Sequence, residues 1–224
     1  MKIVGFGDSF ITPASGEYYT NIIADHFQAD AEFLGYQGSG TWDAFFTFME
    51  YVKHNSLPDV VMFVWSNTSR LYHHRIRDIC PTGVIKHKDS GHIVWQAAEL
   101  YYAHLYDDVK AEYEFRAFYY WLDHWLAKTY PTVKFIHMWS FPHWHGEKYA
   151  LTENDKFQYY HRFTNGIEIR PALIYLSTLD GWPSDGLANE TRTHHLTNKM
   201  HKFLANKIID ALTNYKNGQL YNIC

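Results

Sequence analysis

"DVVMFVW", residues 59–65, is the stretch on which the fold turns. After Asp59 it is a continuous apolar run, rich in β-branched and aromatic residues. A strand reads this way when helices cover both faces of a parallel sheet, because no position then faces water. Upstream, "TWDAFFTFMEYVKHN" (41–55) has the spacing of an amphipathic helix, and "AEFLGY" (31–36) reads as a short strand ending near glycine. Further back, "GEYYTNIIADHF" (16–27) places apolar residues at 18, 19, 22, 23 and 27, a helical period. "KIVGF" (2–6) is a β-branched run closed by Gly7. The order is βαβαβ.

Downstream, the period loosens over about 69–94, where Pro81, Gly83 and Gly91 break the pattern, and an insertion with a hairpin is expected. Residues 95–128 carry strong helical periodicity, parted near Asp107 and Asp108. "TVKFIHMW" (132–139) reads as a fourth strand, "PALIYL" (171–176) as a fifth, and "LTNKMHKFLANKIIDALTNY" (196–215) as a final amphipathic helix. Alternating strands and helices predict one domain over 1–224, a three-layer α/β/α sandwich on a mostly parallel five-stranded sheet.

Composition narrows the function classes. A formal net charge of −4 and 20% charged residues leave no basic surface for a polyanion, so nucleic acid is excluded as a partner. The apolar run behind Met1 is too short for a signal-peptide core or a membrane span, so a cytoplasmic protein with no membrane partner is expected. Two cysteines, Cys80 and Cys224, form no CxxC and no disulfide framework, which fits a reducing compartment. Aromatic residues reach 18% of the chain. Most serve packing, but flat rings also line sites that stack on sugar faces.

Ligands of such sheets bind at the carboxyl ends of the strands, and four stretches fall at such places. "GDSF" (7–10) follows the first strand, "GYQGSGTW" (35–42) the second and "WSNTSR" (65–70) the third, while "THHLTNKMH" (193–201) leads into the last helix. A serine nucleophile needs a base and donors aimed at the developing oxyanion. These loops supply serine, glycine N–H, asparagine amide and histidine.

In these blocks the chain resembles the SGNH hydrolases of the GDSL esterase/lipase superfamily, which implies a flavodoxin-like fold and ester hydrolysis without a cofactor. The resemblance makes Ser9 the nucleophile and its N–H, the Gly38 N–H and the Asn67 side chain the oxyanion donors. It makes His195 the base, with His194 as the rival. Each residue has a plainer reading: Ser9 as a turn cap, Gly38 as a turn glycine beside Gly40, Asn67 as the cap of the following segment. The family usually carries Asp three residues before the histidine, but Arg192 stands there. Asp185, in the turn-forming "PSDG", or Glu190 would then orient the imidazole. Trp65 and Thr68 also replace the family's glycine and aspartate, so the pocket around the oxyanion should differ from the norm.

"HMWSFPHWHGE" (137–147) invites a metal at His143 and His145, but no clear third or fourth ligand stands near, and no metal is expected. Trp139, Trp144 and Trp182 are candidates for the walls of a substrate cleft, with core packing as the alternative. The combined expectation is a serine esterase acting on a small-molecule or carbohydrate ester. The rival is an SGNH-fold binding or structural module that has lost its acid.

Overall fold

The computed structural model describes residues 1–12, 18–76, 79–141, 161–179 and 196–223. Six parallel strands form one sheet: β1 (Lys2–Gly7), β2 (Asp30–Gly35), β3 (Val60–Trp65), β4 (Lys134–Trp139), β5 (Ile167–Arg170) and β6 (Gln219–Asn222). Their order is β2-β1-β3-β4-β5-β6, the flavodoxin-like 2-1-3-4-5 arrangement extended by one edge strand. Every residue of β3 is buried, as the 59–65 run requires.

The pleat divides that run between two cores. Val60, Met62 and Val64 join Ile3, Ile136 and Met138 beneath α1 (Tyr19–Phe27) and α7 (Asn198–Thr213). Val61, Phe63 and Trp65 join Val4, Phe6, Phe135 and Trp139 beneath α2 (Thr41–His54) and α5 (Asp108–Thr129). Each such side chain contributes roughly 1.5–3 kcal/mol when fully buried. Helices on both faces make the three layers.

The insertion has its own small core. Residues Leu71 and Ile79 form one antiparallel bridge, and α3 (Pro81–His87) and α4 (Ile93–His104) follow. Ile79, Val84, Trp95 and Ala98 pack together there, apart from the main cores. The break between α4 and α5 falls where Asp107 caps α5 by accepting from the Lys110 N–H at 2.7 Å.

Two expectations need correction. "PALIYL" is not the fifth strand, for α6 (Leu173–Leu179) occupies most of it and β5 ends at Arg170. Proline cannot donate to a ladder, and a short apolar run buried on several sides looks the same as helix or strand. β5 escaped notice because its Glu168 faces the core: the carboxylate accepts from Trp139 Nε1 at 2.9 Å and Arg170 Nε at 2.8 Å. Among the described residues the sheet also has six strands rather than five, with β6 pairing with β5 at the edge.

Candidate active site

Strand register sets the positions of the loops. Gly7 pairs with Gly35 on one side and Val64 on the other, and Trp65 pairs with Trp139. The segments after β1, β2, β3 and β4 therefore emerge side by side along one edge of the sheet. This edge carries Ser9, Gly38 and Asn67.

The turn holding Ser9 is closed by the Ile11 N–H donating to the Asp8 carbonyl at 3.1 Å. Asp8 Oδ1 accepts from the Phe10 N–H at 3.0 Å, so the buried acid rather than the half-buried serine shapes the turn. Gly35 must be glycine for this turn to sit down: a Cβ there would lie 2.6 Å from the Asp8 carbonyl oxygen. Among the described residues, neither the N–H nor the hydroxyl of Ser9 has a hydrogen-bond partner.

After β2, the Ser39 N–H donates to the Tyr36 carbonyl at 3.1 Å, closing a four-residue turn. Gly38 occupies its third position at φ +76°, a left-handed conformation that glycine adopts without strain. The Gly38 N–H is uncommitted among the described residues. The Gly40 N–H, the alternative donor, instead donates to Asp43 Oδ2 at 2.8 Å as the cap of α2.

Asn67 does make the local turn that its plainer reading foresees. Its Oδ1 accepts from the Ser69 N–H at 3.2 Å and the Ser69 hydroxyl at 2.8 Å. That fixes the amide by its oxygen and leaves Nδ2 as an unspent donor among the described residues. Trp65 lies deep in the core, its Nε1 donating to His137 Nδ1 at 3.2 Å.

His195, His194, Asp185, Glu190, Arg192, His143, His145, Trp144 and Trp182 lie outside the described residues. Leu196 is buried in the same core as Phe10 and Ile11, the residues that follow Ser9. Thr197 caps α7, accepting from the Met200 N–H at 3.3 Å. The first turn of α7 also meets the start of α1, where the Tyr19 N–H donates to His201 Nδ1 at 3.4 Å. α7 thus begins beside the helix that follows the Ser9 loop.

Trp139, expected as a cleft wall, is 0% exposed and spends its N–H on Glu168. Its alternation within β4 turns it into the core, as the packing alternative foresaw. Among the described aromatic rings with solvent access at this edge are Tyr36, 37% exposed in the Gly38 loop, and Tyr72, 42% exposed in the segment after β3. Among the described residues, no group of three or more His, Cys, Asp or Glu side chains is placed to hold a metal ion. No helix among them is long and apolar enough to cross a membrane.

Comparison with known proteins comes from structures alone, since no family profile and no curated protein matches the sequence. The chain is similar to a carbohydrate esterase whose active site has divergent catalytic and non-catalytic binding functions. That match has 14% identity and a TM-score of 0.49, over 97% of this chain and 66% of the other. An acetyl xylan esterase from the rumen bacterium Butyrivibrio proteoclasticus matches at 13% identity and a TM-score of 0.45, over 95% of this chain and 63% of the other. A GDSL-like lipase from Parabacteroides merdae matches at 13% identity and a TM-score of 0.42, over 92% and 95%. This chain therefore spans just under two thirds of the length of the two esterases.

Two residues that sequence reading left without a role stand out. Arg70, the last residue of "WSNTSR", donates from Nη1 to the Ser39 carbonyl at 2.8 Å and lies 3.6 Å from Asp8 Oδ2. Tyr102 of α4 sets its hydroxyl against the carbonyls of Ser69 and Ile79, and burial pushes its pKa up. Residue type alone offered no signal for Tyr102, because 18 tyrosines compete for attention. Arg70 had a weak one, a cation closing a run of small polar residues, Ser66 to Ser69, past a strand end.

Proposed function

We propose that this chain is a serine ester hydrolase of the SGNH type, acting on an acyl ester of a carbohydrate. Ser9 Oγ attacks the ester carbonyl as His195 takes its proton. The negative oxygen of the tetrahedral intermediate accepts from the N–H groups of Ser9 and Gly38 and from Asn67 Nδ2. Collapse expels the alcohol, protonated by His195, and leaves an acyl group on Ser9 that water removes by the same steps. Asp185, or Glu190, holds the imidazole in the tautomer that accepts the proton and stabilises its charged form.

The observation that carries this reading is the set of unspent donors. Three N–H groups of different origin stand at the ends of three neighbouring strands, none committed to another described residue. Protein donors are ordinarily paired when held in place, and preorganised unpaired ones are what a developing oxyanion needs. The carbohydrate half of the proposal rests on the aromatic composition and on Tyr36, whose exposed ring borders the Gly38 loop.

The test is covalent labelling of the purified chain with an organophosphonate, mapped by mass spectrometry, alongside hydrolysis of p-nitrophenyl acetate and an acetylated xylo-oligosaccharide. A single adduct at Ser9, and turnover lost by at least about 10³-fold in Ser9→Ala, are expected. Arg192, in place of the usual acid, favours a second reading, a binding module without turnover. No adduct, no turnover, and retained affinity for the oligosaccharide would establish that one.

A further inference from the structure

We infer that Arg70 is a positioning residue that holds the Ser9 turn and the Gly38 turn in register. This rests on the proposed reading of those two loops. Four contacts carry it, and together they join the segments after β1, β2, β3 and β4.

Arg70 belongs to the segment after β3, three residues past Asn67. Its guanidinium faces Asp8, in the segment after β1, at 3.6 Å from an oxygen that has no hydrogen-bond partner among the described residues. The Asp8 side chain is 0% exposed and that of Arg70 only 14%, so solvent screens the pair weakly. The other Asp8 oxygen shapes the turn with Ser9 at its centre. The guanidinium therefore faces the acid that sets the nucleophile's backbone.

The same Nη1 donates to the carbonyl of Ser39, the residue after Gly38 in the segment after β2. Ser39 in turn places its hydroxyl 2.8 Å from the Gly7 carbonyl at the end of β1. Gly7–Asp8, Arg70 and Ser39 thus close a ring of contacts around the strand end that carries Ser9. Finally, the guanidinium lies 5.3 Å from the centre of the Phe141 ring, which follows β4 and meets Phe10 edge-on at 6.1 Å.

Arginine suits this place because its planar fork holds fixed directions toward several acceptors, while an ammonium is a single point charge on a flexible stem. Misplacing a nucleophile relative to its oxyanion donors by about 1 Å costs on the order of 10²-fold in rate. A residue that ties the two together acts on kcat more than on KM.

The experiment compares wild type with Arg70→Lys and with Asp8→Asn/Arg70→Met, the double variant leaving no uncompensated buried charge. Three quantities are read: amide hydrogen exchange in peptides covering 8–12 and 36–40, kcat and KM for p-nitrophenyl acetate, and the rate of phosphonate labelling at Ser9. Faster exchange confined to those peptides is expected, with kcat and labelling lowered about 10- to 100-fold and KM within about threefold. If folded Arg70→Lys and the double variant keep kcat within about threefold, the inference is overturned, even where exchange rises, since Arg70 would then be structural only. A wild type that takes no label overturns the Ser9 reading and this inference with it, whereas labelled wild type and equally labelled variants overturn the inference alone.

Discussion

Two buried polar regions of this molecule handle their hydrogen bonds in opposite ways. Around Asp123 of α5 and the start of β5, the Asp123 carboxylate and the His137 ring are fully paired, although Asn165 Nδ2 is buried without a partner among the described residues. Asp123 Oδ1 accepts from the Asn165 N–H at 2.8 Å, and Oδ2 accepts from the Thr164 N–H at 2.8 Å and its hydroxyl at 2.7 Å, with His161 Nε2 at 3.2 Å. His137 accepts at Nδ1 from Trp65, which can only donate, so its proton sits on Nε2 and goes to the Asn165 carbonyl at 3.0 Å. At the strand-end edge the matching fails. Asp8 Oδ2, Ser66 Oγ and Ser140 Oγ, each in the first residue past a strand, are buried without a hydrogen-bond partner among the described residues. Matched polar groups specify packing, and unmatched ones at the edge where the site is proposed are what a fold that trades stability for a site would show.

The contrast can be broken most severely at Asp123. Although burial opposes its charge, bonds from His161, Thr164 and Asn165 prevail and hold its pKa down to about 2. Asp123→Ala strands several buried donors and should cost roughly 3–5 kcal/mol in urea unfolding, with kcat of the folded fraction unchanged. A kcat that falls in step would join this cluster to the proposed active site and dissolve the distinction.

At the edge, Asn67→Ala removes one of the proposed oxyanion donors. It should lower kcat by about 10²–10³ with KM little changed and with less than about 1 kcal/mol lost in stability. A loss confined to KM would make Asn67 a ground-state contact.

His137 sharpens the comparison through pH. Burial, the largest influence, lowers its pKa to about 3, so the folded chain keeps it neutral while the unfolded chain takes up a proton below about 6.5. Its contribution is complete above pH 6.5 and is lost as pH falls toward 3, by up to about 1.4 kcal/mol per pH unit. Urea midpoints at pH 7 and pH 5 should therefore converge in His137→Gln relative to wild type. An unchanged gap would place the acid sensitivity elsewhere.

The smallest expected effect is that of Tyr102→Phe, which frees the Ser69 carbonyl beside Asn67. About 1 kcal/mol of stability and a several-fold drop in kcat should follow, measured on the same ester. No change in kcat would mean that the helical insertion does not support the Asn67 loop.

Most of the framework could be read along the chain. β1 to β4, the three helices α1, α2 and α7, and the parting of α4 from α5 near Asp107 follow from periodicity and caps, which act over a few residues. The placement of Ser9, Gly38 and Asn67 at strand ends was legible for the same reason, because β1 and β2 stop at glycine and β3 where its apolar run gives way to small polar residues. β5 and α6 were exchanged where burial overrode pattern: Glu168 reads as surface until Trp139 and Arg170 are seen to meet it.

What the sequence by itself determined is thus the order of elements and which loops carry the reactive residue types, since both depend on neighbours in the chain. The tertiary structure alone decided that Trp139 faces the core, that the Gly40 N–H is spent on Asp43 while that of Gly38 is not, and that Arg70 meets Asp8 and Ser39. Arg70 and Asp8 belong to separate strand-end segments, and only the register of β1 against β3 brings them within 3.6 Å. No local pattern encodes such a pair, because its energy exists only after the sheet has formed.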